Sequence, residues 1–185
     1  LTHACRNGWN YVANKLLETP DKCMLNVTDI NGDTALMTAC WKNMSNITLK
    51  ILVNITDCKL DNISTNINTA FILAANNNME DVLLKMLEKP ELCRLDHIYN
   101  NNSMLMMVIN KCKTSKVALK MLQHIELCNL SYTNSKKETA FTIAFLKDME
   151  DVMLKLLDYP ELTVESLNKL VLFDLCKYNF HETVL

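Results

Sequence analysis

Glycine and proline are almost missing: the 185 residues contain only 2 glycines and 3 prolines. Two glycines cannot build a Gly-rich phosphate loop, and no strand–turn–helix nucleophile elbow is present. The 4 His and 8 Cys therefore have no recognisable catalytic scaffold, and neither enzyme activity nor a catalytic residue is expected. A basic excess is also lacking, with 19 Lys+Arg against 21 Asp+Glu and a net charge of −2. A nucleic-acid partner, which calls for a strongly basic surface, is not expected. No apolar run reaches the roughly 18 residues needed to span a bilayer, so no membrane partner is expected. No basic-then-apolar leader opens the sequence. No stretch alternates with period two for long enough to form a sheet.

What the sequence does contain is a period. Lys15, Lys50, Lys85, Lys120 and Lys155 are spaced by 35 residues, as are Leu17, Leu52, Leu87, Leu122 and Leu157. Cys23, Cys58, Cys93 and Cys128 keep the same step. A unit this small cannot bury its own apolar face and must stack on a neighbour, so the chain reads as a solenoid. The hydrophobic share, 49%, is enough for a continuous core. Equivalent cysteines in stacked helical units lie about 8–10 Å apart. A disulfide needs Cα atoms within about 7 Å, so the ladder should not pair with itself. It reads instead as a small apolar core position. Free thiols imply a reducing, cytoplasmic location. The seven N-x-[ST] sequons, at Asn26, Asn43, Asn46, Asn54, Asn62, Asn101 and Asn129, would go unused there.

Within one unit, Asp29-Ile30-Asn31-Gly32-Asp33 predicts a turn, with Gly32 free to take positive φ. Thr34 starts a short helix running to about Lys42, with Ala35, Leu36 and Ala39 on one face. Next comes the column Gly8, Asn43, Asn78, Lys113, Asp148, mostly residues that tolerate a left-handed helix end, where the chain must turn sharply. Asn179 extends the column if the last unit is shorter. A second helix follows, over about Glu80–Lys89 in the third unit, with Met79, Val82, Leu83, Met86 and Leu87 as its apolar stripe. Asp81–Lys85 and Asp151–Lys155 are spaced as i,i+4 ion pairs. Pro20, Pro90 and Pro160 stop this helix in alternate units.

Leu25-Asn26, then Asp29-x-x-Gly32-x-Thr34-Ala35-Leu36-x-x-Ala39-Cys40, resembles the ankyrin repeat, V-N and D-x-x-G-x-T-P-L-H-x-A-A. Thr69-Ala70-Phe71 with Ala74-Ala75, and Thr139-Ala140-Phe141 with Ala144, repeat the match. The opening Leu1-Thr2-His3-Ala4-Cys5-Arg6-Asn7-Gly8 is similar to the family's first helix and its glycine. The resemblance implies an all-α, ankyrin-type solenoid of helix-turn-helix units. Its organisation is a single array over 1–185: a partial unit 1–29, units 30–64, 65–99, 100–134 and 135–167, and a partial unit 168–185. The chain starts inside a repeat and is expected to be a piece of a longer protein. Some features depart from the family. Its proline is Ala or Leu throughout, the period is 35 rather than 33, and the unit at Ser103-Met104-Leu105-Met106 has lost the T-x-L signature. The finger glycine survives only as Gly32; Asn102 could turn left-handed, whereas Ile67 and Lys137 would be strained, so those two fingers are expected to turn differently. The Asn-, Lys-, Ile- and Met-rich style is similar to arrays of large DNA viruses and amoebae, which would make the location host cytoplasm if the source is a virus.

The resemblance also implies a protein-binding module whose finger turns and first-helix ends line a concave face. Along the stack those ends are Arg6 and Asn7, Trp41 and Lys42, Asn76 and Asn77, Lys111 and Cys112, Leu146 and Lys147, Lys177 and Tyr178. Five of these twelve are basic and none is acidic, which fits an acidic or polar partner segment as well as the helix dipole. Trp41, Tyr178 and Arg6 are residue types enriched at hot spots. The finger tips supply Ile30, Asn31, Asp33, Thr65, Asn66, Asn68, Asn100, Asn101, Ser103, Ser135, Lys136 and Glu138. The candidate partner-binding set is therefore Arg6, Asn31, Asp33, Trp41, Lys42, Asn66, Asn68, Asn76, Asn77, Asn101, Lys111, Lys136, Lys147 and Tyr178. The lysine column belongs to the second helices and reads as a solvated back. Cys93-x-x-x-His97 and His124-x-x-x-Cys128 do not give four convergent ligands, so no metal or other cofactor is expected. The chain is expected to be monomeric. The alternative function is a spacer within a larger multidomain protein.

Overall fold

The computed structural model describes residues 1–159. The expected partial unit 168–185, with Tyr178 and Asn179, lies outside the described residues, as does Pro160. Short helices alternate in pairs: α1 (Thr2–Arg6) with α2 (Asn10–Leu16), α3 (Ala35–Trp41) with α4 (Ser45–Ile51), and α5 (Ala70–Asn76) with α6 (Glu80–Met86). They continue with α7 (Met104–Lys111) and α8 (Lys116–Met121), then α9 (Ala140–Leu146) and α10 (Glu150–Leu157). Each odd-numbered helix packs on the next odd-numbered one, and the even-numbered helices form a second layer behind them. One apolar core runs between the layers, including Leu36, Ile47, Ile51, Phe71, Val82, Leu83, Met86, Val108 and Phe141.

A hydroxyl starts four of the first helices. Thr34 accepts the N–H of Met37, Thr69 that of Ile72 and Thr139 that of Thr142, each at 3.2 Å. Ser103 does the same for Met106 at 3.4 Å. The unit with the weakest family signature thus keeps its cap, and Ser103, expected at a finger tip, is buried beneath the turn. The helices end on left-handed residues: Gly8, Asn43, Asn78 and Asp148 have φ of 69°, 54°, 52° and 55°. Lys113 departs from this column. The chain is already extended at Cys112 (φ −74°, ψ 145°), which is buried rather than exposed as expected. The Lys113 N–H is accepted instead by Asn78 Oδ1 at 3.0 Å and Glu80 Oε1 at 2.8 Å.

The second helices are shorter than the sequence implies. α6 stops at Met86, not near Lys89, and α4 and α8 stop at the equivalent Ile51 and Met121 with no proline following; Pro90 moves Lys89 out of the helical region (φ −132°, ψ 66°) and opens a 3-10 turn over Pro90–Leu92. Thr19, before Pro20, has the same backbone (φ −129°, ψ 70°). The ladder thiols lie just beyond these helix ends. Cys23, Cys93 and Cys128 each donate Sγ–H to a carbonyl seven residues earlier, on Leu16, Met86 and Met121, at 3.2, 3.3 and 3.6 Å. Cys58 donates to Ile55 at 3.3 Å. Cysteine therefore fills a small position beside the core and also adds a thiol donor to a carbonyl at the helix end; at Leu16 and Met86 that carbonyl also accepts the N–H of Thr19 and Lys89. The seven cysteines among the described residues are free.

Three further expectations change. The i,i+4 pairs Asp81–Lys85 and Asp151–Lys155 are replaced by i,i+3 pairs on the C-terminal side: Lys85–Glu88 at 2.7 Å and Lys155–Asp158 at 2.9 Å, matching Lys15–Glu18 at 2.8 Å. Ile67 and Lys137 do adopt the left-handed turn, with φ of 60° and 61°. Their finger positions are fixed by hydrogen bonds to the preceding residues: Ile67 N–H to Ser64 O at 2.9 Å and Lys137 N–H to Asn134 O at 2.8 Å. In the fourth finger Asn100 and Asn101, not Asn102, take positive φ (45° and 61°). They close a small hairpin in which β1 (Ile98–Tyr99) pairs with β2 (Asn102–Ser103), a two-residue loop that needs positive φ at both positions.

Candidate functional site

The finger turns are built on a polar side chain at their first residue. Asp29 Oδ1 accepts the N–H groups of Asn31 and Asp33 at 2.7 and 3.1 Å. Asn134 Oδ1 accepts those of Lys136 and Glu138 at 3.0 and 2.9 Å. Ser64 Oγ accepts that of Asn68 at 3.3 Å. These Asx-type turns hold the finger tips in place. Arg6, at the end of α1, forms an ion pair with Asp29, which ties the first helix to the next finger.

A cleft of about 460 Å³ opens between α1, α3 and α5 and the fingers beside them, lined by Arg6, Asn31, Asp33, Trp41, Lys42, Asn66 and Asn68 among others. Half of the fourteen sequence-predicted residues meet here. Met37, Thr38 and Leu73 complete the lining and were not picked out from the sequence. Thr38 and Leu73 are 35 residues apart, and Thr38 is one helical step from Trp41, so both signals were available. Trp41 is 58% exposed, and Lys42 Nζ lies 4.3 Å from its ring centroid, a cation–π contact that holds both at the rim. Burial pushes the Asp33 carboxyl upward, opposed by the charge of Arg6 and a hydrogen bond to Ser64. Asn68 Oδ1 is buried with no hydrogen-bond partner among the described residues.

The other predicted residues among those described lie outside the cleft. Asn76, Lys111, Lys136 and Lys147 are exposed at helix ends and on the last finger. Asn77 turns inward: its Nδ2 donates to the carbonyl of Cys40 at 2.7 Å and of Trp41 at 3.3 Å, closing the end of α3. Asn101 is engaged by the neighbouring unit, donating to Ser135 Oγ and accepting from the Tyr132 hydroxyl at 2.9 Å. Leu146 is exposed beside Lys147. The buried thiols offer no nucleophile: burial pushes Cys5 and Cys58 up to about 11 and Cys93 and Cys112 to about 12.

Among solved structures, 109 chains match. One comes from the complex of the predatory endopeptidase Bd0816 of Bdellovibrio bacteriovorus with immunity protein Bd3460, at a TM-score of 0.53 and 19% identity. The match covers 85% of this chain and 96% of that one, a likeness of fold alone. No curated protein matches the sequence. A family model of ankyrin repeats, in three copies, matches residues 1–96, just over half of the 185. The chain belongs to the ankyrin-repeat family.

Proposed function

We propose that this chain binds a protein partner through the concave side formed by its finger turns and first-helix ends, with the cleft at Trp41 as the anchor point. Ankyrin repeats are protein–protein interaction modules, and the binding-module reading is carried by the family. The observation that supports the location is the convergence of Arg6, Asn31, Asp33, Trp41, Lys42, Asn66 and Asn68 on one cleft with an exposed Trp at its rim. Trp ranks among the residues most often found at hot spots. Arg6 is neutralised by Asp29, so the cation available at the cleft is Lys42; Lys111 and Lys147 lie exposed at the ends of α7 and after α9. An acidic or polar segment laid across the stack would meet these lysines in turn, and its affinity would fall with salt.

The test compares the wild-type chain with a Trp41→Ala/Lys42→Ala variant and, as a control, Lys50→Ala on the second-helix layer. Candidate partners are captured from lysate and their binding is quantified with purified components. The cleft variant should lose at least about tenfold in affinity and the control none, since a buried Trp anchor is worth 2 kcal/mol or more. Equal capture by all three proteins would rule the cleft out.

A further inference from the structure

The cleft at Trp41 holds more acceptors than its own donors satisfy. Asn68, in its lining, has Oδ1 buried with no hydrogen-bond partner among the described residues. Asp33 and Asn68 stand 35 residues apart, at the same place in successive fingers. Ser64 draws them together: its hydroxyl bonds the Asp33 carboxyl, and its Oγ accepts the Asn68 N–H at 3.3 Å. Donors beside them are already engaged. The Arg6 guanidinium is held by Asp29, and the Thr38 hydroxyl donates to Thr34 O at 2.9 Å. The N–H groups of Asn31 and Asp33 go to Asp29 Oδ1. Burial raises the Asp33 carboxyl in spite of Arg6 and Ser64, so these two do not fully compensate its charge. A donor entering the cleft would relieve both acceptors, since an Asn amide turns readily about χ2.

We infer, on the reading that this cleft is the partner's anchor point, that it takes an arginine side chain of the partner, with the guanidinium held between the Asp33 carboxylate and the Asn68 amide oxygen. Arginine presents five N–H donors in a planar fork, enough for two acceptors on adjacent fingers. It is also more weakly hydrated than the ammonium of lysine, which suits a half-buried site. A carboxamide would bring donors but no charge to balance Asp33. Met37 and Leu73 give the aliphatic stem an apolar wall. The Trp41 ring already attracts one cation, Lys42 Nζ at 4.3 Å from its centroid, and a guanidinium passing the rim meets the same ring. Lys42 disfavours a second cation beside it, so the arginine is expected next to an acidic residue that pairs with Lys42. The bound segment is thus acidic or polar with one arginine set into it.

The test selects a random peptide library on the purified full chain and measures the enriched peptides by isothermal titration. They should share an arginine. Citrulline in its place keeps the shape and removes the charge; it should weaken binding to the wild-type chain about tenfold, but binding to Asp33→Asn by less than about threefold. Asp33→Asn keeps an acceptor for the Ser64 hydroxyl, so the finger should fold as before. Asn68→Ala removes the unpaired oxygen and should weaken the arginine peptides by about threefold or more without lowering the thermal midpoint. Peptides that need Trp41 but carry no arginine, or that bind equally well with citrulline, would overturn this inference and leave the cleft as the anchor point. Peptides indifferent to Trp41→Ala as well would take the cleft itself away. A library that yields no binder would count against the arginine site, while capture by the Trp41→Ala/Lys42→Ala variant would decide the cleft separately.

Discussion

Replacing Glu80 with Gln or Ala tests how the third and fourth helix pairs are joined. Glu80 opens α6, yet its carboxylate serves the next unit. Oε1 accepts the N–H groups of Lys113 and Thr114 at 2.8 and 2.9 Å, and Oε2 accepts the Thr114 hydroxyl at 2.5 Å. This is the junction at which the left-handed helix end is missing, so the carboxylate covers backbone donors that a turn would otherwise satisfy. A hydrogen bond to a charged group contributes about 1.5–3 kcal/mol when shielded from water. Glu80 is half-buried, so solvent competes and the lower end applies. Glu80→Gln retains one oxygen and loses the charge, and should cost about 1 kcal/mol; Glu80→Ala should cost about 2 kcal/mol. Asp81→Asn next door, at an exposed position, should stay within about 0.5 kcal/mol of wild type.

The sign with pH is fixed by the same geometry. Burial pushes the Glu80 carboxyl up, but donation from the Thr114 hydroxyl and N–H, then from the Lys113 N–H, and the charge of Lys116 together hold it below its ordinary value. A depressed carboxylate contributes stability that is fully present above the unfolded value of about 4.3 and is lost as pH falls through the folded one. Urea unfolding followed by circular dichroism should therefore show the full gap between wild type and Glu80→Ala at pH 7, closing below about pH 4. Because stack stability is a sum over units and their interfaces, the variant should also broaden the transition by weakening one internal joint. Equal stability at pH 7, or a gap that persists unchanged at pH 3, would refute this account.

Ile67→Gly and Lys137→Gly should each stabilise the chain by about 0.5–1 kcal/mol, because a left-handed side chain costs about 1–2 kcal/mol and glycine's extra chain entropy returns only part of that; a loss of stability at both would contradict the strain. Thr69→Ala should cost about 1 kcal/mol by leaving the Ile72 N–H uncapped, and Phe71→Ala about 3–5 kcal/mol by opening a cavity in the core, both read from denaturant midpoints. Cys93, buried and raised to about 12, should resist a thiol reagent at pH 8 in the native chain and react only in urea, as read by mass spectrometry of its peptide; rapid native labelling would contradict its burial.

Much of this architecture was legible because the same physical demand recurs every 35 residues. The leucine, cysteine and turn columns repeat since each unit must fill the same core and end the same helix. Thr34, Thr69 and Thr139 announced their helices for the same reason. What escaped were relations between units. Lys113 fails to turn left-handed because Asn78 and Glu80, more than thirty residues earlier, take its N–H. Asn77 and Asn101 look like free surface amides in the sequence but are occupied by Cys40, Trp41, Ser135 and Tyr132. Ile67 and Lys137 were misjudged because local preference was weighed without the finger hydrogen bonds that override it. At the cleft, the rim residues Trp41 and Lys42 were recognisable by type, while the lining residues Met37, Thr38 and Leu73 looked like ordinary core.

The stack also carries a longer rhythm, and it bears on where a partner would sit. Residues 79–87 match 149–157 at seven of nine positions, but 44–52 at only four of nine, so the third and fifth units share their second-helix sequence. The prolines and the Lys–acid i,i+3 pairs follow the same alternation, at 15–18, 85–88 and 155–158. So do the finger contacts. Thr65 N–H reaches Asn31 O at 3.0 Å, which joins the second and third fingers. Asn134 Nδ2 reaches Asn102 Oδ1 at 3.1 Å, which joins the fourth and fifth. No hydrogen bond links the fingers at 64–68 and 99–103 among the described residues. Among the described residues the finger tips thus form two linked pairs, and the two pairs are joined to each other at the helix ends through Asn78 and Glu80 rather than through the fingers. The cleft at Trp41 lies wholly within the first pair, and the hydrogen bond that ties its fingers together holds the spacing of its lining residues.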